Sequence, residues 1–181
     1  IAVAAALLGV PVAYGMARVL ARSRRFESAW WLAALLPAAL PAPLTGVGLI
    51  MLWHRPEGSF LYGTPGMVVL AALARTLPFG VLILAMALRR TDPLLEDAAT
   101  IFERSRASGW FQVRLPLVAP ALGAAAILLA ACSLGELGAT LLVIPPGAQT
   151  LTLRIYNYLH YGESQAVAGL RLSIVQVVIN A

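Results

Sequence analysis

The chain has few charged residues, no lysine, one cysteine and two histidines. Only 12% of its 181 residues are charged, about half the fraction of an ordinary soluble domain, while 60% are hydrophobic. This composition argues against a soluble globular protein and favours one that crosses a membrane several times. All thirteen basic residues are arginine, and the net charge is +5. In a membrane protein such a charge orients the chain rather than binding nucleic acid.

Several kinds of site are missing as well. The single Cys132 excludes an intrachain disulfide. His54 and His160 are isolated, so no metal-ligand spacing exists, and we interpret both as membrane-interface residues. The sequence contains no GxxxxGK[ST] phosphate loop. We therefore expect no metal site, no catalytic residues and no cofactor in this chain, and we do not expect an enzyme.

Five apolar runs are long enough to be membrane spans, since a helix needs about 20 apolar residues to cross a bilayer. They cover residues 1–20, 29–53, 66–88, 115–133 and 164–181. The chain begins and stops inside such runs, so we expect a fragment truncated at both ends. The prediction is an all-α, polytopic transmembrane bundle forming a single domain over residues 1–181.

Proline and aromatic residues add local detail to these runs. Pro37, Pro41 and Pro43 should kink or partly unwind the second span. Near the other end of the chain, residues 150–161 are predicted to form a short interfacial helix. Tyrosines at positions 156, 158 and 161 would anchor that helix at the membrane surface.

The distribution of arginine predicts the orientation of the chain. If four spans alternate in direction, loops 21–28 and 89–114 lie on one side. With the helix-end residue Arg18, that side holds nine arginines, while the other side holds Arg55 and Arg154. The positive-inside rule then places loop 89–114 in the cytoplasm.

The longest polar stretch, residues 92–120, reads as a short amphipathic helix that leads into the fourth span. Asp92 is suited to cap the helix and Pro93 to its first position. A glycine turn is expected at Gly109, followed by an apolar helix that starts at Leu115-Pro116. A charged helix with one apolar face between two spans indicates a docking surface for a soluble partner.

This stretch resembles the EAA loop of ABC-importer permeases. It carries Glu96-Asp97-Ala98-Ala99 and, at the family's spacing, Val113-Arg114-Leu115-Pro116. The family's glycine is replaced by Glu103, so either the bend has moved to Ser108-Gly109 or the permease is atypical. The resemblance implies contact with a cytoplasmic ATPase through Glu96, Asp97, Ala98, Ala99, Glu103, Leu115 and Pro116.

The outer segment, residues 135–162, is similar to that of ferric-iron and thiamine type permeases. The similar stretches are Leu134–Thr140, Pro145–Gly147 and Leu153–Gly162, with Arg75–Phe79 in the third span. The resemblance implies a type I importer fold in the bacterial inner membrane and ferric iron as the first choice of solute, with thiamine or another small solute as alternatives.

The same resemblance implies a set of partners. A periplasmic or extracellular binding protein would deliver the solute, and a second permease half or copy would complete the pathway. A cytoplasmic ATPase dimer would hold ATP and Mg²⁺, because this chain has no site for them.

Charges inside the spans are candidates for the translocation path or its gate, namely Arg75 and Glu136 together with Pro78. A charge at membrane depth costs at least ~2.5 kcal/mol unless it is paired or hydrated. Two interpretations stay open. The two charges form a functional pair, or backbone freed near Pro78 or Pro41 satisfies Arg75 while Glu136 meets water at the outer surface.

On the outer side, Arg154, Tyr156 and Asn157 are candidates for contact with a binding protein or for an outer gate. The alternative is that they only anchor the chain at the membrane interface.

Two other classes of protein are alternatives to a permease. An ion-coupled secondary transporter would also have broken helices and buried charges, but it leaves the amphipathic loop without a role. An intramembrane enzyme would need a catalytic set at membrane depth, and the sequence shows no such cluster.

Overall fold

A computed structural model describes residues 1–22, 27–55, 60–92, 94–95 and 106–161. Every regular element in these ranges is a helix, which confirms the all-α prediction. The main helices are α1 (Ala2–Arg22), α2 (Glu27–Ala39), α3 (Ala42–Trp53), α4 (Pro65–Arg90), α5 (Leu115–Gly135), α6 (Thr140–Val143) and α7 (residues 151–161).

Three helical stretches are long and apolar enough to cross a membrane: Ala2–Ala21, Pro65–Arg90 and Trp110–Gly135. Helices α2 and α3 form a bent pair with an angle of 100° between them, and they make a fourth span if the pair is counted as one. The break falls between Ala39 and Ala42, where Pro41 cannot donate a backbone hydrogen bond. The predicted fifth run, 164–181, lies outside the described residues.

Small side chains let α1, α4 and α5 pack closely against one another. Ala13 of α1, Ala85 of α4 and Ala125 of α5 belong to one fully buried cluster. A Cβ atom at Gly80 would lie 3.2 Å from Leu129 and 3.3 Å from Ala13, so the three helices meet closely at this glycine.

A second buried cluster joins α4 to the segment that follows α5. Met67, Val68 and Ala71 of α4 pack with Ala139 and Val143. Three residues of α3 also pack against this cluster: Leu49, Ile50 and Trp53. The segment between α5 and α6 is therefore held against both α3 and α4.

The entry to α5 differs from the prediction. Gly109 is buried and has right-handed helical dihedrals, φ −62° and ψ −34°, so the expected glycine turn is wrong. A helical turn at Arg106–Gly109 passes into a π-helical turn at Trp110–Arg114 and on into α5. The Leu115 N–H donates to the Trp110 carbonyl, a five-residue step that keeps the backbone helical where a bend was expected.

The described residues 147–161 belong to a second compact unit, which begins at Gly147. Within it, the hydroxyl of Thr150 accepts a hydrogen bond from the Leu153 N–H at 3.2 Å and caps α7. Leu151, Ile155 and Leu159 are exposed at a four-residue spacing along one face of α7. The predicted helix over 150–161 is confirmed, and the single-domain organisation stays a prediction.

Candidate functional site

Arg75 lies inside α4 and binds backbone at the break between α2 and α3. Its Nη1 donates a hydrogen bond to the carbonyl oxygen of Leu40. Carbonyls at the end of a helix have no partner within that helix, so the end of α2 offers Leu40 as an acceptor. Of the two prolines considered from the sequence, Pro41 therefore marks the acceptor that Arg75 uses. Pro78 is fully buried in α4, one turn after Arg75.

Glu136 follows the end of α5 and faces the same guanidinium. The Nε atom of Arg75 lies 3.6 Å from Oε2 of Glu136, and the two side chains are 23% and 12% exposed. The other carboxylate oxygen, Oε1, accepts a hydrogen bond from the Ala139 N–H at 3.0 Å. Arg75 therefore binds freed backbone at the break and also lies within ion-pair distance of Glu136, while the role of the two charges in a path or gate stays a prediction. We call Leu40, Arg75, Glu136 and Ala139 the Arg75 junction.

Close backbone packing fixes the Arg75 junction. A Cβ atom at Gly138 would lie only 2.6 Å from Cβ of Ala42, at the start of α3. A Cβ atom at Gly46 would lie 3.2 Å from the carbonyl oxygen of Ala139. Sequence reasoning missed these contacts. The two glycines that flank Glu136 at positions 135 and 138 were the available signal.

Three buried side-chain atoms, one in the Arg75 junction and two on helices adjoining it in sequence, have no hydrogen-bond partner among the described residues. Ser133, one turn before Glu136, is 6% exposed, and its Oγ has no hydrogen-bond partner among the described residues. The same holds for the buried Oγ1 of Thr45 on α3 and for Nε of Arg75. Buried polar atoms are nearly always paired, so such a group points to water or a bound ion.

A second arginine cluster lies at the other end of α4 and was not predicted. Arg89 Nη2 donates to Oε1 of Glu27 at 2.6 Å and to the carbonyl oxygen of Leu20 at 3.3 Å. The guanidinium also lies over the Trp31 ring, 5.4 Å from its centroid. This cluster joins α1, α2 and α4.

The predicted ATPase-coupling residues are described only in part. Glu96, Asp97, Ala98, Ala99 and Glu103 lie outside the described residues, whereas Leu115 and Pro116 begin α5.

The structure describes both ends of residues 92–114, which we call the coupling segment. Asp92 Oδ1 accepts a hydrogen bond from the Leu94 N–H at 2.9 Å, which confirms the predicted cap. At the far end, Trp110 packs edge-on against Tyr14 of α1, with ring centroids 5.3 Å apart. The π-helical turn is thereby connected to α1 as well as to α5.

The predicted outer-contact residues share α7. Arg154 is exposed, while Tyr156 and Asn157 are half-buried. The Tyr156 ring stacks on His160, with centroids 4.1 Å apart. Their role in contacting a binding protein or forming a gate stays a prediction. Among residues the structure describes, no group of three or more acidic, histidine or cysteine side chains is placed to hold a metal ion.

Known proteins resemble the chain over most of its length, although no protein-family model matches it. The molybdenum transport system permease protein ModB of Mycobacterium bovis is 34% identical over 188 residues, covering 97% of this chain and 69% of the relative. The Escherichia coli ModB is 31% identical over 159 residues, which cover 80% of this chain and 68% of the relative. A putative 2-aminoethylphosphonate transport system permease protein, PhnV of Salmonella typhimurium, is 29% identical over 154 residues. The match covers 82% of this chain and 57% of the relative.

Apolar helices long enough to cross a membrane, with a broken helix pair beside them, mark the chain as an integral membrane protein. Because the chain is 34% identical to ModB over 97% of its own length, it belongs to the family of ABC-importer permeases. Its relatives are transport permease subunits rather than enzymes, in agreement with the expectation from the sequence.

Proposed function

We propose that the chain is a membrane-spanning subunit of a bacterial, ATP-driven importer that moves a small tetrahedral oxyanion. The observation that carries the proposal is the 34% identity to a molybdenum permease over 97% of the chain. Molybdenum in its highest oxidation state is a tetrahedral oxyanion in neutral water, and the phosphonate group named for PhnV is one too. The relatives lend no support to ferric iron, the solute first expected from the sequence.

The proposed partners follow from the permease family. A binding protein would deliver the oxyanion to the outer side, where Arg154, Tyr156 and Asn157 are candidates for contact. A second permease half or copy would complete the path. A cytoplasmic ATPase dimer would bind ATP and Mg²⁺ and dock on loop 89–114, in the inner-membrane orientation that the arginine distribution favours.

The described ends of the loop support a coupling role. The segment starts at the cap formed by Asp92 and ends in the π-helical turn Trp110–Arg114. Because that turn continues into α5 and contacts Tyr14 of α1, a displacement of the loop would move both helices. Single π-helical turns within helices are common at functional positions.

Co-purification of the full-length permease with its ATPase tests the proposal. We expect the wild type to retain the ATPase, and the double substitution Glu96→Arg with Asp97→Arg to insert normally but lose it. Glu57→Arg is the matched control, because the arginine count places its loop on the other side of the membrane. An ATPase that stays bound to the double variant would contradict docking through the loop.

An ion-coupled secondary transporter is the second candidate. The break between α2 and α3 and the ion pair beside it are features that such transporters share. Uptake that survives ATP depletion but stops when the ion gradient is collapsed would favour this candidate over the importer.

A further inference from the structure

We propose that the Arg75 guanidinium is a binding point for the oxyanion during its passage, and that Glu136 is the internal carboxylate which the oxyanion displaces. This inference rests on the proposed function and assigns a site for its substrate class. It concerns the Arg75 junction, where α4, the end of α5 and the break between α2 and α3 meet.

The guanidinium has donors to spare. An arginine side chain carries five N–H groups in a planar fork that matches oxyanions. Among the described residues, Arg75 makes one side-chain hydrogen bond, from Nη1 to the Leu40 carbonyl. Its Nε is buried without a hydrogen-bond partner there, and the nearest carboxylate oxygen is 3.6 Å away. With 23% of the side chain exposed, the group is both under-used and accessible.

The start of α3 adds positive potential at the same place. This helix of 12 residues begins at Ala42, two residues after Leu40, and no side chain caps its N-terminus. Helix N-termini attract anions, and broken helices in transporters present such ends to anionic substrates. The close approach of Ala42 to Gly138 keeps the start of α3 beside the Glu136 loop.

Two buried hydroxyls stand one helical turn in sequence from members of this place and are candidate further donors. Ser133 precedes Glu136 by one turn of α5, and Thr45 follows Ala42 by one turn of α3. Their hydroxyl oxygens are buried and have no hydrogen-bond partner among the described residues. Arginine and hydroxyl groups together are suited to an oxyanion with several acceptor atoms.

Glu136 occupies the place of the oxyanion in this structure. Its Oε2 faces Arg75, while Oε1 is held by the Ala139 N–H at 3.0 Å. The carboxylate can therefore leave the guanidinium and stay attached to its own loop. Because Glu136 neutralises Arg75, only an anion that makes more hydrogen bonds than a carboxylate would replace it.

Equilibrium dialysis of radiolabelled molybdate tests the inference, with the complete permease and its ATPase in nanodiscs and no binding protein. Removing the internal competitor by Glu136→Gln is expected to tighten binding by at least about tenfold. Arg75→Gln should abolish binding, and Arg75→Lys should weaken it because the charge stays and the fork is lost. Arg89→Gln, the other paired arginine of α4, is the control and should leave the affinity unchanged.

Unchanged molybdate affinity in both Arg75→Lys and Glu136→Gln would overturn the inference, even if Arg75→Gln fails to assemble. A separate experiment tests the proposed function. It measures ATP-dependent molybdate uptake by the wild-type importer in the presence of its binding protein. Uptake with no effect at Arg75 or Glu136 rejects this site and leaves the proposed function standing. An assembled importer that hydrolyses ATP but neither binds nor moves molybdate rejects the oxyanion class and the site with it.

Discussion

Arg75 and Arg89 lie on the same helix, α4, and hold the two ends of α2. Arg75 binds the Leu40 carbonyl just after α2, and Arg89 binds Glu27 at its start. The two arginines are 14 residues apart (89 minus 75), about 21 Å along a helix. The pairs differ in exposure, with Arg75 and Glu136 at 23% and 12% and Arg89 and Glu27 at 38% and 43%.

The first prediction concerns the ion pair at the Arg75 junction. Glu136→Gln and Arg75→Gln should each lower the free energy of unfolding, because each leaves a partly buried charge without its partner. The double variant should lose less than the sum, with a coupling energy of about 1–3 kcal/mol. Unfolding in detergent of the purified wild type, the two single variants and the double variant measures this coupling energy. Additive losses would mean that the 3.6 Å pair contributes no interaction energy.

The second prediction is that the Arg89 cluster contributes less. Arg89→Gln breaks a pair whose side chains are more than one-third exposed. Water and salt screen such pairs, so we expect a loss of at most about 1 kcal/mol in the same unfolding experiment. The loss should shrink further at high salt. A larger, salt-independent loss would show that packing of Arg89 on Trp31 dominates instead.

The sequence predicted the composition of the Arg75 junction better than its geometry. The break near Pro41 followed from the missing N–H of proline, and the charges at Arg75 and Glu136 stood out against apolar runs. The Leu40 carbonyl could not be predicted, because which backbone group meets a side chain depends on how distant helices pack. Gly109 was predicted as a turn from its residue type, yet it is helical, since glycine permits a turn without requiring one.

The third prediction concerns close packing beside Glu136. Gly138→Ala should destabilise the protein by about 1–3 kcal/mol, because the new Cβ would lie 2.6 Å from Cβ of Ala42. Ala42→Gly in the same chain should restore part of the loss. Gly123→Ala, where the new Cβ would meet nothing within 4 Å beyond its chain neighbours and its own helix backbone, is the matched control and should be neutral or stabilising. Equal effects at Gly138 and Gly123 would contradict the packing described.

The fourth prediction concerns the contact between the coupling segment and α1. Trp110→Leu removes the edge-on pair with Tyr14, worth about 0.5–1.5 kcal/mol beyond its buried area. We expect the ATPase to stay bound, while stimulation of ATP hydrolysis by the loaded binding protein falls severalfold. Phe111→Leu, in the same π-helical turn but 65% exposed, should keep full stimulation. If both variants behave like wild type, the Tyr14 contact does not transmit loop motion.

The central claim is that this permease moves an oxyanion at the expense of ATP hydrolysis in a partner. Uptake of radiolabelled molybdate into proteoliposomes holding the complete permease, its ATPase and its binding protein tests it most directly. The account predicts uptake that requires ATP, persists without an ion gradient, and is lost in the Glu96→Arg, Asp97→Arg double variant. Uptake that needs an ion gradient, or that the double variant retains, would contradict it.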